Sequence, residues 1–263
     1  MLKENEIYNM DCIEGMKQIE DKSVGMIFVD LPYGVTAKNK WDVVIPFELM
    51  WEQVERIIKD NGAILFFGQD KFSARLMLSN IKLHRYNIIW EKGIPTGFLN
   101  ANKQPLRVHE DIMVFYKNLP TYNPQKVKGK PCHTKGKALN QNTDDILNNA
   151  NYNNYKVVET EGDMKCPVSV WHFKKVHPSK AIHPTQKPLE LCRYAIKTYS
   201  NEGDLVLDFC CGSGSIPLAA KLENRRYIGI DNGVCEKKNS DYFGKSWAEI
   251  AKDRINSGVE KDW

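Results

Sequence analysis

Patterns of buried strands and amphipathic helices alternate along the amino-terminal part of the chain. The continuous apolar runs at residues 26–29 and 63–67 are typical of strands that are buried on both faces. Apolar positions at helical spacing follow these runs, over 47–59, with a stop at Asn61-Gly62, and around 72–78. This alternation predicts an α/β fold with a mostly parallel, doubly wound sheet.

The same alternation returns in the carboxyl-terminal part. Residues 189–200 have the apolar spacing of a helix. A strand at 205–207, a helix at 216–222 and a strand at 226–230 follow, and the chain closes with an amphipathic helix around 247–255. Both parts therefore fit one sheet.

The middle of the chain interrupts the pattern. Two β-rich stretches, 86–90 and 111–116, predict an antiparallel hairpin, and the segment 93–100 between them is too irregular for a strand or a helix. Hydrophobic periodicity then fades until about residue 170, and 140–154 is rich in asparagine. We therefore expect one domain with an insertion, formed by residues 1–117 and 171–263 around an inserted region at 118–170.

Composition narrows the class of protein. A hydrophobic content of 42% and a charged content of 27% are those of a soluble globular protein. The chain contains no apolar run near the ~20 residues of a membrane helix, and its polar start does not resemble a signal peptide. Its seven cysteines lack the spacing of a disulfide framework, so we expect a cytoplasmic protein that does not associate with membranes.

Positive charge is concentrated in the insertion. The net charge is only +4, but six lysines and no acidic residue lie between Lys117 and Lys137. Such a segment is either a solvated loop or a surface that binds phosphates. The candidates for DNA contact are Lys126, Lys128, Lys130, Lys135 and Lys137. Nearby Cys166, His172 and His177 lack a Cys-x-x-Cys pair, so we predict no metal site.

The run at 26–29 ends in Asp30-Leu31-Pro32-Tyr33. In open α/β sheets, ligands bind at the carboxyl ends of the strands. These residues are therefore candidates for a reaction site, although a strand followed by a structural turn would have the same pattern.

A second strand ends in an acidic residue and a glycine-rich turn. Asp208 is followed by Gly212 and Gly214, and the next strand ends at Asp231. Glycines let a ligand approach the backbone, and the later acid can accept hydrogen bonds from a ribose. The pattern predicts an adenosine-containing cofactor. An NAD-dependent oxidoreductase is less well supported, because Pro217 occupies the position of the third glycine of the dinucleotide motif.

Three motifs in one order identify a family. With Asp-Leu-Pro-Tyr at 30–33, His-Pro-Thr-Gln-Lys-Pro at 183–188 and Asp-Phe-Cys-Cys-Gly-Ser-Gly at 208–214, the chain resembles the β group of S-adenosylmethionine-dependent amino-group DNA methyltransferases. Arg-Val-His-Glu at 107–110 belongs to the same likeness. The resemblance implies a Rossmann-like methyltransferase sheet and a target-recognition role for 118–170. It raises a homodimer and a restriction endonuclease partner as candidates, and the sequence decides neither.

The resemblance also implies roles for individual residues. Asp30 and the carbonyl of Leu31 would accept hydrogen bonds from the target amine, within a turn that includes Pro32, and Tyr33 would stack on the flipped base. Leu31 departs from the family, which usually has proline there, and Cys210 and Cys211 are unusual in the glycine turn. The implied cofactor-binding residues are Asp11 near the adenine, Thr185 and Lys187 near the methionine carboxylate, Asp208, Phe209, Gly212, Ser213 and Gly214 around the methionine, and Asp231 at the ribose.

The chemistry explains the choice of residues. Two acceptors can hold the protons of an aromatic amine so that its lone pair points at the methyl donor, without a covalent intermediate. Methylation of cytosine C5 would need a cysteine nucleophile, and the only matching dipeptide, Pro131-Cys132, lies in the insertion. The resemblance favours adenine N6, because Asp30 begins the motif, over cytosine N4. An RNA substrate and a non-catalytic DNA-binding protein remain alternatives.

Overall fold

The computed structural model describes residues 1–34, 42–130, 163–237 and 240–258. The strands within them are β1 (Glu6–Tyr8), β2 (Val24–Val29), β3 (Ile58–Gly68), β4 (His84–Thr96), β5 (Arg107–Phe115), β6 (Val127–Lys128), β7 (Met164–Lys165), β8 (Val170–His172), β9 (Leu205–Asp208) and β10 (Arg226–Ile230). Eight of these strands form one sheet with the order β1-β10-β9-β2-β3-β5-β4-β8, and β6 and β7 form a separate pair.

Helices cover both faces of this sheet. All six residues of β2 are buried; Met26 and Phe28 pack into one hydrophobic core, and Ile27 and Val29 into another. Alternate side chains of a strand point to opposite faces, so the sheet has a core on each side. This confirms the predicted doubly wound α/β fold. In the described residues the helices are α1 (Cys12–Met16), α2 (Phe47–Ile57), α3 (Asp70–Ser79), α4 (Leu189–Tyr199), α5 (Ser215–Leu222) and α6 (Trp247–Asn256).

The strand order reverses between β9 and β2. These two strands are parallel neighbours, and the chain continues from β9 to β10 on one side and from β2 to β3 on the other. A crevice forms where successive crossovers diverge, at the carboxyl ends of such strands. Asp30 follows β2 and Asp208 ends β9, so the fold brings the two predicted sites together.

The other end of the sheet contains the predicted antiparallel hairpin. β5 pairs antiparallel with both β3 and β4, and β8 adds a parallel strand at the edge. The expectation that 93–100 would be irregular was wrong in part. β4 continues to Thr96, and a 3₁₀ helix at Phe98–Asn100 follows Gly97.

The predicted stop at Asn61-Gly62 was also wrong, because both residues lie inside β3. Val24 pairs with Ile58 and Met26 with Ala63, so β3 has extra residues in a bulge at this point. A Cβ atom on Gly62 would lie 2.9 Å from the carbonyl oxygen of Gly25, which is too close without a backbone shift, so the bulge favours a glycine. The Asn-Gly dipeptide therefore forms a bulge within the strand, although its composition is typical of a turn.

The chain forms two compact units, Met1–Asn123 with Ser169–Trp263, and Pro124–Val168. The first contains the eight-stranded sheet and the six helices, and the second contains the β6–β7 pair. Among the described residues, no helix is both long and apolar enough to cross a bilayer.

Candidate active site

A cavity of about 860 Å³ opens at the carboxyl ends of β2 and β9. The predicted residues in its wall are Asp11, Asp30, Leu31, Pro32, Tyr33, Thr185, Lys187, Asp208, Phe209, Gly212, Ser213 and Asp231. Gly214 lies behind the wall, where its φ of +77° begins α5 and a Cβ atom would lie 2.8 Å from Cβ of Ala251. The fold thus places residues from three separate motifs around one space.

Both carboxylate oxygens of Asp30 have partners. The hydroxyl of Tyr33 donates to Oδ1 at 2.9 Å, and Nζ of Lys187 donates to Oδ2 in a short contact. The Lys187 side chain is only 8% exposed and that of Asp30 18% exposed. We expected Lys187 beside the cofactor; the structure places its ammonium on the predicted catalytic carboxylate.

Lys187 belongs to a buried network of four charges. Its Nζ lies 3.6 Å from Oε2 of Glu110, and Oε1 of Glu110 lies 3.1 Å from Nζ of Lys92. Lys187 also lies over the ring of Phe67, 4.7 Å from the centroid. Two carboxylates and two ammonium groups balance formally, which is how buried charges avoid a large desolvation cost. We call Asp30, Lys187, Glu110 and Lys92 the charge network.

Burial and pairing act in opposite directions on these groups. Burial raises the pKa of Asp30, and the Lys187 ammonium partly offsets that rise. Burial lowers the pKa of Lys187, but the carboxylates of Asp30 and Glu110 outweigh it and leave the pKa above its usual value. Lys187 is therefore a cation, and its position on Oδ2 favours the ionised form of Asp30.

The two residues beside Asp30 have different environments. The ring of Tyr33 packs against that of Phe72, with centroids 4.7 Å apart, and also lines the cavity. Leu31 is only 4% exposed and packs into the hydrophobic core. A leucine in the place of the family's proline therefore adds apolar burial while leaving a main-chain carbonyl at this position.

The glycine turn after β9 is fixed by side chains from later elements. The amide of Gly212, whose φ is +48°, donates to Oδ2 of Asp231 at 2.8 Å, and the amide of Gly233 donates to Oδ1 at 2.8 Å. Arg254 of α6 is almost fully buried and donates to the carbonyl of Ser213 at 3.1 Å. This arginine stabilises the turn from behind.

Asp208 forms no ion pair with a described residue. Its Oδ1 accepts from the amide of Cys210 at 3.2 Å, and the residue is 2% exposed. Burial raises the pKa of Asp208 well above its ordinary value, and the carboxylates of Asp231 and Asp30 raise it further. Phe209, next to it, packs in the core against Phe66, with centroids 6.1 Å apart.

The two cysteines in the turn have raised pKa values. A hydrogen bond to Cys12 and burial raise the pKa of Cys210 well above its usual value. Burial has the same effect on the pKa of Cys211. The thiolate is the reactive form of cysteine, and these surroundings disfavour it at both positions.

The segment 183–188 forms another wall. His183 packs edge-on against Trp247 with centroids 4.4 Å apart, and its Nδ1 accepts from the amide of Thr185 at 3.3 Å. Burial lowers the pKa of His183 to about 3, so the ring is neutral. Asp11 caps α1 by accepting from the amides of Ile13 and Glu14 at 2.9 and 3.1 Å.

The predicted DNA-binding lysines lie in the second unit. Lys126, Lys128 and Lys130 are exposed there, and Nζ of Lys128 is 3.4 Å from Oδ2 of Asp163. Lys135, Lys137 and the predicted insertion tip at 140–154 lie outside the described residues. Within the described residues, no group of three or more His, Cys, Asp or Glu side chains could hold a metal ion.

Sequence reasoning missed the roles of Glu110, Lys92 and Arg254. Glu110 was part of a recognised motif, but its pairing with two lysines depends on the antiparallel contact of β4 with β5. Arg254 is a charged residue in the apolar pattern of the last helix, and that departure from the pattern was the available signal. Lys92 and Glu110 line the cavity, and Arg254 supports the glycine turn from behind the cavity wall.

Comparisons with known proteins agree with this geometry. The model of the N6/N4 methyltransferase family, described as DNA methylase, matches residues 24–237. Type II methyltransferase M.HpaI of Haemophilus parainfluenzae is 28% identical over 94% of this chain and 73% of its own length. Type II methyltransferase M1.MboII of Moraxella bovis is 29% identical over 88% of this chain and 93% of its own.

Solved structures show the same fold. The M1.HpyAVI–SAM complex superposes with a TM-score of 0.59 at 22% identity, over 95% of this chain and 98% of that one. The cytosine-N4-specific PvuII DNA methyltransferase gives 0.60 at 15% identity, over 96% and 93%. Because the family model covers most of the sequence, including the strands that carry Asp30 and Asp208, this chain belongs to the N6/N4 DNA methylase family, whose members use S-adenosylmethionine.

Proposed function

We propose that this chain transfers a methyl group from S-adenosylmethionine to the N6 amine of adenine in duplex DNA, directly and on a flipped base. One observation carries the proposal. Asp30 at the end of β2 and the glycine turn at the end of β9 line the same cavity, at the point where the strand order reverses. An acceptor for an amine and a cradle for a nucleoside cofactor are therefore adjacent.

The cavity suits this cofactor together with a base. Its volume of about 860 Å³ lies within the range of roughly 300–1,000 Å³ found for small-molecule sites. Nε1 of Trp247, a residue in the wall, is buried and has no hydrogen-bond partner in the described structure. Each oxygen of Asp231 accepts one backbone amide, and a carboxylate oxygen can accept a second hydrogen bond. The polar groups of a nucleoside would satisfy these atoms.

The bound cofactor supplies an electrophilic methyl group on a sulfonium. We assign Asp231 to its ribose and Asp11 to the adenine side. The turn formed by Asp208, Phe209, Gly212, Ser213 and Gly214 would hold the methionine part. Thr185 lies beside it, on the exposed side of the cavity wall. We also assign Lys187 to the methionine carboxylate, which would compete there with the carboxylates of Asp30 and Glu110 for the ammonium.

Asp30 and the carbonyl of Leu31 perform the chemical step on the substrate side. Each accepts one proton of the target amine in a hydrogen bond, which moves the nitrogen lone pair out of the ring. As the nitrogen gains the methyl group it must lose one proton, and Asp30 accepts it. A pKa above the usual value, caused by burial, makes Asp30 a better base for this step.

The charge network has a positioning role in this proposal. Lys187 and Tyr33 each contact one oxygen of Asp30. Glu110 gives Lys187 a second carboxylate at 3.6 Å, so the ammonium can move away from Oδ2 without losing its ion pair. Glu110 therefore allows Asp30 to turn to the amine while Lys187 stays charged.

Tyr33 contributes to extrusion of the base. An exocyclic amine inside a duplex cannot reach the methyl donor, so the base must leave the stack at a cost of a few kcal/mol. Tyr33 lines the cavity and is backed by Phe72, which gives a fixed aromatic surface for stacking. The fixed ring offsets part of the extrusion cost.

We assign DNA positioning to the second unit, with Lys126, Lys128 and Lys130 on phosphates, and Lys135 and Lys137 as further candidates. Exposed lysines contact the backbone without reading sequence, and base-edge contacts must supply specificity. The relatives of this chain are named type II methyltransferases, so we also propose a restriction endonuclease as a partner.

The base, its position and its sequence context can be measured together. The chain is expressed in a host that lacks DNA methylation, and the modified bases are read by sequencing. We expect N6-methyladenine at one short sequence. N4-methylcytosine at such a sequence would replace adenine by cytosine in the proposal, and unmodified DNA from cells that contain the folded protein would contradict it.

The role of Asp30 is tested separately. With methyl-labelled cofactor and duplex DNA, Asp30→Ala should transfer no label while cofactor binding by calorimetry is unchanged. Asp60→Ala is the matched control, because Asp60 is an exposed acidic residue in β3 that pairs with Lys22. Label transfer by Asp30→Ala at the control's rate would refute the assigned role.

A further inference from the structure

The loop that joins β4 to β5, residues 97–106, extends from the edge of the sheet that carries the active site. Gly68 at the carboxyl end of β3 pairs with Asp111 of β5, and Thr96 at the end of β4 pairs with Arg107. Thr96 also lines the catalytic cavity. We call these residues the 97–106 loop; it begins one residue beyond the cavity wall.

This loop exposes two large apolar side chains. Leu99 is 100% exposed and Phe98 is 66% exposed. Single exposed apolar residues are common on proteins. Two adjacent exposed apolar residues beside an active site are less common and suggest a binding surface. The loop contributes no residue to the hydrophobic cores, and the described structure covers neither of the two side chains.

The loop is held in one shape. Amides of Asn100 and Ala101 donate to the carbonyls of Gly97 and Phe98 at 2.9 and 3.1 Å, and the Lys103 amide donates to the carbonyl of Asn100 at 2.8 Å. Gly97 has a φ of +91°, a conformation that favours glycine. Leu99 is therefore presented by an ordered turn, and little conformational entropy is lost if it binds a partner.

The base of the loop is also anchored. Oγ1 of Thr96 donates to the carbonyl of Arg107 at 3.2 Å, and Nη1 of Arg107 lies 2.7 Å from Oδ2 of Asp70. Asp70 begins α3, directly after the carboxyl end of β3. The loop is thus fixed to the same sheet edge as the reaction site.

The charge of the segment suits a polyanion. Residues 93–109 include no acidic residue and contain Lys103 and Arg107. Exposed amide side chains, Asn100, Asn102 and Gln104, lie beside the two apolar ones. Cations and amides around an apolar tip are the composition of elements that contact phosphates and insert a side chain between bases.

We propose that Leu99, with Phe98 beside it, inserts into the base stack of DNA as an apolar wedge and fills the space that the flipped base leaves. This inference rests on the proposed function and deepens it. It names the side chain whose insertion into the duplex offsets the free-energy cost of unstacking the target base. Leucine and phenylalanine are among the side chains that proteins insert between base steps. Tyr33 would act on the flipped base, and Leu99 on the duplex left behind.

A second copy of the chain is a less suitable partner for this loop than DNA. A stable protein interface buries about 800 Å² on each partner. Two side chains on a narrow loop supply a small part of that area, and the cations of the segment would face their own copies in a symmetric contact. The structure therefore favours DNA.

The experiment uses the full chain and a short duplex that carries the sequence found methylated in the sequencing experiment. The target base is 2-aminopurine in one duplex, whose fluorescence rises on unstacking, and a normal base in another. Leu99→Ala should reduce both the fluorescence rise and the single-turnover methylation rate by about tenfold or more. Leu99→Met, which keeps an apolar side chain of similar size, should retain most of both.

A pre-opened target separates the wedge from other roles. Opposite an abasic site the target base is already poorly stacked, so Leu99→Ala should come within about threefold of wild type. Leu78→Ala is the matched control: Leu78 is 73% exposed, in the last turn of α3, which leads away from the catalytic edge. It should behave as wild type on both duplexes.

Each outcome has one meaning. Equal rates and equal fluorescence for wild type and Leu99→Ala on the matched duplex would overturn the wedge while leaving the methyltransferase assignment intact. An equal defect on both duplexes would also overturn it. Dissociation of a dimer by Leu99→Ala in sedimentation, with flipping unchanged, would assign the loop to a second copy. A wild-type chain that methylates no DNA would refute the proposed function itself.

Discussion

Two neighbouring strands each deliver an aspartate to the same cavity, and the two carboxyls have opposite surroundings. Asp30, after β2, accepts hydrogen bonds from the hydroxyl of Tyr33 and from the ammonium of Lys187. Asp208, at the end of β9, is more deeply buried, and within the described residues it accepts a hydrogen bond only from the amide of Cys210. Burial raises both pKa values, and that of Asp208 rises much further.

In the proposed function, this difference separates the acid that acts on the target amine from the acid in the turn that holds the cofactor. A cation beside Asp30 favours the ionised carboxylate that an amine acceptor requires. Asp208 forms no ion pair in the described structure, and burial and two nearby carboxylates raise its pKa well above the ordinary value. Position at the end of a parallel strand therefore does not by itself define the role of an acidic residue; its ionic partners do.

Replacing each aspartate by asparagine should have the largest effect and tests the comparison directly. Asp30→Asn removes the negative charge, and its amide can present N–H groups to the amine, so we expect the rate of methyl transfer to fall by about 10³, or about 4 kcal/mol. Asp208→Asn keeps the shape of the side chain, and burial already disfavours the carboxylate at this position, so we expect a change of less than about tenfold. Single-turnover rates at saturating cofactor measure both.

Cofactor affinity serves as the control for this pair. Calorimetric titration should show unchanged binding for Asp30→Asn, which limits the defect to the chemical step. If Asp208→Asn lost as much activity as Asp30→Asn, the contrast between the two acids would be wrong and Asp208 would have to be ionised.

The next effect concerns the charge network. Lys187→Met leaves the carboxylates of Asp30 and Glu110 buried without their shared cation, and breaking a buried ion pair costs about 3 kcal/mol. We expect a loss of that order in urea unfolding at pH 8. The loss should shrink at pH 6, because the pKa of Asp30 rises further without Lys187 and the buried carboxyl can then be protonated.

An exposed ion pair provides the control. Lys22 and Asp60 lie 2.9 Å apart with side chains 61% and 56% exposed, so Lys22→Met should change stability little and independently of pH. A similar response of the two lysine variants would contradict the view that Asp30 depends on Lys187.

The fold could be predicted from the sequence because its signals are local. Each strand at the site is a short apolar run that ends in an acidic residue, as at 26–29 and 205–207, and strand order follows from alternation with helices. The errors also have local causes. Asn61-Gly62 resembles a turn, but the packing of a bulge in β3 against Gly25 decides its conformation.

The partners within the site could not be predicted in the same way. Lys187 is separated from Asp30 by 157 positions, and its place on that carboxylate depends on the packing of three chain segments. Glu110 and Lys92 meet only because β4 and β5 pair antiparallel. Arg254 reaches the glycine turn from the last helix. Side-chain pairing across the sheet requires distances that spacing along the chain does not give.

His183 links the two regions of the comparison and gives the smallest expected effect. It lies against the glycine turn, where a Cβ atom on Gly212 would be 3.6 Å from its ring, and Lys187 contributes to the lowering of its pKa. Burial is the larger cause, and together they place the pKa at about 3, against 6.5 for an ordinary histidine. The neutral ring is therefore part of the folded state.

The consequence is a pH dependence of stability with a defined sign. Below pH 6.5 the unfolded chain binds a proton at His183 and the folded chain does not, so this group stabilises the fold above pH 6.5 and loses that contribution as the pH falls towards 3. The slope should approach about 1 kcal/mol per pH unit between pH 6 and 4. His183→Asn lacks the titrating group, and although lost packing on Trp247 lowers its stability at every pH, its curve should fall less steeply than that of wild type. The buried carboxyls titrate in both proteins, so their contribution cancels in the difference between wild type and His183→Asn. If the two free energies of urea unfolding changed in parallel from pH 7 to 4, His183 would have to be protonated in the folded protein.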